Sequence, residues 1–230
     1  MLLAIDTATQ MMSVALHDGS SVLAEQTWYS GNNHTVMLAP AIQTLLAHNG
    51  LKVDALTALA VSIGPGSYSG LRIGVALAKG LAAARKLPLV GVSSLDTLAV
   101  GTPYFNGGLV VTLPAGRERL IVKTYRWRKG RWASHKSEEP QLLENWEALV
   151  GKIDGTAFVT GEITHAGIET LKAAQANGVP VTVLPAALRL RRAGFLAEEA
   201  WSRLNDSSDK KEFEPARLVP FYIKTKDFPK

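Results

Sequence analysis

The sequence predicts two α/β lobes, each opening with antiparallel strands, and three observations carry that expectation. Leu2–Asp6, Ser13–His17 and Val22–Trp28 read as short strands, the last two joined at Asp18-Gly19, a strong hairpin signal. Helix and strand patterns then alternate as far as Val100. After a Gly/Pro-rich break at 101–108, a second set of hairpin-like strands opens another alternating run.

Each element follows from local pattern. A helix is expected from His34 to about His48, with Leu38, Ile42 and Leu45 at helical spacing and Asn49-Gly50 as its stop. Pro40 should kink it or mark its working start. Leu59–Ile63 is a mainly apolar run with β-branched Val61 and Ile63, which suits a strand buried on both faces. A glycine-rich loop leads into a long helix, about Ser69 to Lys86, then strand Leu89–Val92 and helix Leu95–Val100. The second lobe reads as strands Leu109–Leu113, Arg119–Trp127 and Arg131–His135, helix Leu142–Val150, strand Ala157–Thr160, helix Ile168–Ala176, strand Val181–Leu184 and helix Ala193–Leu204. The charged stretch Asn205–Glu212 reads as a solvated, mobile loop. The lobes are placed at residues 1–103, with 213–230 returning to the first, and at 104–212.

Composition narrows the function classes. The 230 residues are 47% hydrophobic and 20% charged, enough apolar material for a core. No apolar run is long enough to span a membrane, and Asp6 so near the start argues for a buried strand over a secretion signal. The absence of cysteine excludes disulfides and thiolate chemistry and fits a reducing cytoplasm. A net charge of +5 permits a polyanionic partner without locating it.

Two places could handle phosphate. Asp6 and Thr7 end the first strand, where a carboxylate and turn amides can hold a metal or a phosphate; the plainer alternative is that Asp6 caps its own turn. Gly64, Gly66 and Ser67 precede the long helix, where backbone amides can converge on an anion. That loop is neither a Walker A sequence nor Gly-x-Gly-x-x-Gly. Gly70, Gly74 and Ala78 recur every fourth residue and give that helix one bare flank, so close packing or an interface outweighs phosphate binding. None of the five histidines (17, 34, 48, 135, 165) has another three to five residues away, and no Gly-x-Ser-x-Gly elbow occurs. Residues 117–136 carry eight basic side chains against Glu118, a net +7, with Trp127 and Trp132 interleaved. A nucleic-acid surface could use that pattern, although a charge-protected hairpin edge explains it as well.

The run Leu3 to Thr9, His34 at its helix start, Gly64 to Gly74 and Pro88 to Leu95 together resemble the bacterial TsaB (YeaZ) proteins. Val219 to Lys224 is similar to that family's Pro-x-Tyr-x-Arg ending. The resemblance is dense over 1–100 and thin over 101–212. It implies an actin/Hsp70/sugar-kinase fold and a scaffold or activator role beside the catalytic subunit TsaD, with the ATPase TsaE, in placing threonylcarbamoyl on tRNA. It further implies a homodimer when alone, tRNA contact through the complex, and no cofactor held by this chain by itself, with ATP or ADP at a subunit junction left open. The partner-facing residues expected are His34, Met37, Ala41, Gly70, Arg72, Gly74 and Ala78. TsaD carries a His-x-x-x-His metal pair whose places here are Ser94 and Leu98, and leucine cannot bind a metal. The family's Asp-Ala-Arg at the second lobe's opening is replaced by Leu113 to Leu120. The rival function is an autonomous phosphotransferase or nucleotide hydrolase built on Asp6 and the Gly64–Gly70 loop.

Overall fold

A computed structural model describes residues 1–134 and 139–223. Lys136, His135 and Lys224, which belonged to the basic hairpin and the C-terminal motif, lie outside them. The described residues form two compact units, the first from Met1–Thr97 and Arg191–Tyr222, the second from Leu98–Leu190 together with Ile223.

The first unit holds a five-stranded sheet in the order β3-β2-β1-β4-β5, made of β1 (Leu2–Asp6), β2 (Met11–His17), β3 (Val22–Tyr29), β4 (Ala58–Gly64) and β5 (Leu89–Ser93). β1, β2 and β3 pair antiparallel, whereas β4 is parallel to both β1 and β5. Alternation sends each strand's side chains to two faces, and both are covered. On one face Leu3, Ile5, Val14, Leu59 and Val61 meet α1 (His34–His48) and α2 (Tyr68–Arg85). On the other, Leu2, Ala4, Ala15, Ala58 and Ala60 meet α6 (Ala193–Asp206) through Ala193, Leu196, Ala197 and Ala200. Alanine against alanine lets this helix sit close to the sheet. β1, wholly buried, lies at the centre of both layers.

α6 therefore corrects the expected lobe boundary. It falls within 104–212, yet its apolar stripe has its counterpart on the first sheet, so the chain returns at Arg191 and not at 213. Residues 213–222 do belong to the first unit.

The second unit has the order β11-β10-β6-β7-β8, with β9 beside β7. Its strands are β6 (Gly108–Pro114), β7 (Leu120–Arg128), β8 (Arg131–Ala133), β9 (Gln141–Leu143), β10 (Ala157–Gly161) and β11 (Val181–Val183). Val110, Val122, Val159 and Val181 pack with Trp146 and Leu149 of α4 (Trp146–Val150) and Leu171 of α5 (His165–Ala176). The helix expected at Leu142–Val150 is shorter. Leu142 and Leu143 pair with Ile121 and Leu120, and the Asn145 side chain accepts from the Ala148 amide to start α4. α1 continues through Pro40, and the end of Asn205–Glu212 enters a short 3₁₀ turn at Lys210–Phe213 that buries Phe213.

Candidate functional site

The turn between β1 and β2 gathers most of the residues singled out for phosphate, and the chain itself occupies them. Asp6 is fully buried. Its Oδ1 accepts from the Ala8 amide at 2.9 Å, the turn-capping role, while Oδ2 accepts from Arg191 Nε at 3.1 Å. The Arg191 side chain is 1% exposed and also donates to Thr9 Oγ1 at 2.6 Å and to the Met11 carbonyl at 3.2 Å. Thr7 Oγ1 donates to the Gly70 carbonyl at 2.8 Å, and the Ser67 amide donates to the Ala8 carbonyl at 2.6 Å. Ser67 Oγ caps α2 by accepting from the Gly70 amide. Gly66 lies so close to Ala8 that a Cβ would overlap its carbonyl oxygen. Gly64, at φ +106°, leaves no room between β4 and the Phe221 carbonyl, which a Cβ would meet at 2.5 Å. The glycines of this loop admit neighbouring backbone, where an anion-binding loop would leave its amides turned toward a ligand. A metal does not fit Asp6 while a guanidinium holds that carboxylate.

The bare flank of α2 is likewise spent inside the unit, which corrects the expected interface. Gly70, Gly74 and Ala78 are buried; a Cβ on Gly70 would strike the Thr7 carbonyl, and one on Gly74 the Thr7 hydroxyl. Ala78 is in the sheet-facing core. His34 is 5% exposed, and its Nε2 donates to the Thr9 carbonyl at 2.7 Å, tying the start of α1 to the β1–β2 turn. None of these four can meet a partner directly. Met37 and Ala41 are half-buried, and Arg72 is exposed.

The outward flank of α2 is a different row, of small residues after Arg72: Ala76, Gly80, Ala83 and Ala84. A Cβ on Gly80 would meet nothing within 4 Å. Beside it, α1 exposes Val36 (74%) and contains no Asp, Glu, Lys or Arg. Tyr68 packs against Tyr222, ring centroids 5.1 Å apart and tilted by 43°, and lies under the Arg72 guanidinium, extending this face past the start of α2. Burial raises the Tyr222 phenol's pKa, reinforced by Tyr68 and opposed by Arg72. Two adjacent exposed helix faces so poor in charge resemble the centre of a protein interface more than a free surface.

Ser94 and Leu98, at the ends of a metal-pair spacing, have structural roles on α3 (Ser94–Val100). Ser94 Oγ is 2.8 Å from Ser62 Oγ, and Leu98 is 2% exposed. Among the described residues no cluster of His, Cys, Asp or Glu has a metal-holding arrangement. No described helix is long and apolar enough to cross a membrane.

In the basic hairpin, register separates the two residue types. Trp127 faces Trp132 and Arg128 faces Arg131, so alternation puts Arg126, Arg128 and Arg131 on one side and both tryptophans on the other. Trp132 is buried and donates to the Thr102 and Pro103 carbonyls, with Trp127 and Tyr104 packed around it. The aromatics form a packed cluster and are not interleaved with the cations.

A family model described as TsaD, tRNA N6-adenosine threonylcarbamoyltransferase, matches residues 23–151. The tRNA threonylcarbamoyladenosine biosynthesis protein TsaB of Bacillus subtilis is 33% identical, covering 71% of each chain. That of Escherichia coli is 42% identical over 74% of this chain and 67% of its own. The chain belongs to the TsaB (YeaZ) family. YeaZ from Pseudomonas aeruginosa superposes with a TM-score of 0.70 at 24% identity, covering 96% of this chain and 99% of that one. A ROK hexokinase from Thermus thermophilus gives 0.51 at 12% identity, covering 90% and 99%. The fold is thus shared with this YeaZ and this hexokinase, and consists of two α/β units.

Sequence reasoning found the β1–β2 turn but missed Arg191, which is 185 residues from Asp6. Three arginines stand in Arg189-Leu190-Arg191-Arg192, and nothing local signals which guanidinium turns inward. The outward row of α2 was missed because both of its flanks are small.

Proposed function

We propose that this chain is the non-catalytic partner subunit of a TsaD-type enzyme that forms threonylcarbamoyladenosine in tRNA. In this account it docks and activates TsaD through the outward faces of α1 and α2. The observation that carries the proposal is the uncharged exposed surface formed by Val36, Ala76, Gly80, Ala83 and Ala84, framed by Arg72 and Tyr68. Small residues allow another helix to approach closely, and low charge keeps the desolvation cost small. The same surface serves a homodimer when TsaD is absent, so the two assemblies compete. TsaE joins through the complex, tRNA is met there, and the setting is the cytoplasm. ATP or ADP belongs to the subunit junction in this account, not to Asp6 of this chain.

The test is co-purification with TsaD, together with light scattering of the chain alone. Gly80→Trp should abolish the complex and any homodimer while leaving the melting temperature of the isolated chain near that of the wild type. Retention of both assemblies by Gly80→Trp and Ala76→Trp would refute the docking face. The rival, an autonomous phosphotransferase, requires steady ATP turnover by the purified chain that Asp6→Asn removes.

A further inference from the structure

The surroundings of Asp6 have the donor set of a hard-cation site. Asp6 Oδ2, Thr9 Oγ1 and the Met11 carbonyl converge on one positive group, all three are oxygens, and the carboxylate is fully buried. Divalent ions such as Mg²⁺ and Mn²⁺ are held by just such carboxylate, hydroxyl and carbonyl oxygens. Here the positive group is the Arg191 guanidinium, supplied where the chain re-enters the first unit just before α6. A buried carboxylate is strongly disfavoured in its ionised form unless a positive group stands against it, and Arg191 is that group here.

We infer that Arg191 is the resident cation of the β1–β2 turn, permanently filling the position where a divalent ion would otherwise be recruited. The same contacts pin the start of α6 to the turn. Arg192 and Ala193 extend the attachment, the first to Glu25 and the second, through its amide, to Ser13 Oγ at 2.8 Å. A metal-bound nucleotide is excluded from this turn by a covalently attached competitor whose effective concentration no free ion can match. The inference concerns this chain alone and does not depend on the docking face.

It predicts a hidden cation site. Arg191→Ala deletes the guanidinium and its stem, leaving three oxygens, a net negative charge and space for inner-shell water. The probe is Mn²⁺ alone, followed by the loss of its free-ion electron paramagnetic resonance signal and by thermal melting. Wild type and Arg191→Lys, which retains a cation, should neither deplete free Mn²⁺ through Asp6 nor change melting temperature. Arg191→Ala should bind one equivalent and melt about 3–5 °C higher at roughly ten times its Kd. Asp6→Asn/Arg191→Ala should lose that response, which separates the site from adventitious surface binding. If Arg191→Ala fails to fold in chelator, Mn²⁺ should restore its folding, while the double variant, having no buried charge to compensate, folds without it. Stoichiometric Mn²⁺ binding by the wild type that Asp6→Asn abolishes would overturn the inference. So would a folded Arg191→Ala that ignores Mn²⁺, or failure of Mn²⁺ to rescue an unfolded one while the double variant folds.

Discussion

Two alanine substitutions on α2, six residues apart, should change stability in opposite directions. At Gly74 the added methyl lands on the Thr7 hydroxyl, which donates to the Gly70 carbonyl inside the unit. Pushing that hydroxyl away breaks this bond and leaves a buried hydroxyl donor without its acceptor, worth about 1–3 kcal/mol. Fitting the methyl between helix and strand costs about 1–3 kcal/mol more. The better helix propensity of alanine returns about 1 kcal/mol, so Gly74→Ala should destabilise by about 1–5 kcal/mol. At Gly80 the methyl meets only solvent. Gly80→Ala retains the propensity gain alone and should stabilise by about 0.5–1 kcal/mol. Urea denaturation of the isolated chain, followed by circular dichroism, reads both. If Gly74→Ala proved as stable as wild type, or Gly80→Ala less stable, the assignment of inward and outward flanks would be wrong.

Four other outcomes follow from the same geometry. Asp6→Asn and Arg191→Met should each cost about 3–5 kcal/mol in thermal melts, and the double variant should recover much of that, because only the single changes leave a buried group unpaired. His34→Ala should lower stability by about 1–3 kcal/mol through its lost bond to the Thr9 carbonyl. Val36→Asp, on the exposed side of α1, should leave stability within about 0.5 kcal/mol yet weaken TsaD binding by surface plasmon resonance; equal affinity would remove α1 from the interface. In filter-binding assays on the complex, Trp127→Ala should leave tRNA retention unchanged, whereas Arg126→Glu with Arg128→Glu should weaken it in a salt-dependent way. A loss at Trp127 as large as that from charge reversal would restore base stacking to this hairpin.

Local chemistry made most of the fold legible. Leu2–Asp6 and His34–His48 fall where strand and helix patterns end in the sequence, because Asp6 and Asn49-Gly50 punctuate them. Leu142 and Leu143 misled because two leucines before Trp146 fit helical spacing, and only the partner strand, Leu120–Val122, makes them β. α6 went to the wrong unit because its alanine-rich stripe suits either sheet; the alanines of β1, β2 and β4 decide the match. The site was half legible. Glycine spacing revealed that α2 has a bare flank, but its direction depends on Thr7, more than sixty residues upstream of the glycine it meets. Which residue faces out at Gly80 is therefore a tertiary fact. Arg191 is the extreme case, since a buried ion pair across the whole chain leaves no local trace.

The most direct test is reconstitution of tRNA modification, read by nucleoside mass spectrometry. Unmodified tRNA is incubated with TsaE, threonylcarbamoyl-AMP and ATP, with or without TsaD, and with wild-type chain, with Gly80→Trp, or with neither. Threonylcarbamoyladenosine should accumulate only with the wild-type chain. Modification by this chain without TsaD, or undiminished modification with Gly80→Trp, would contradict the account.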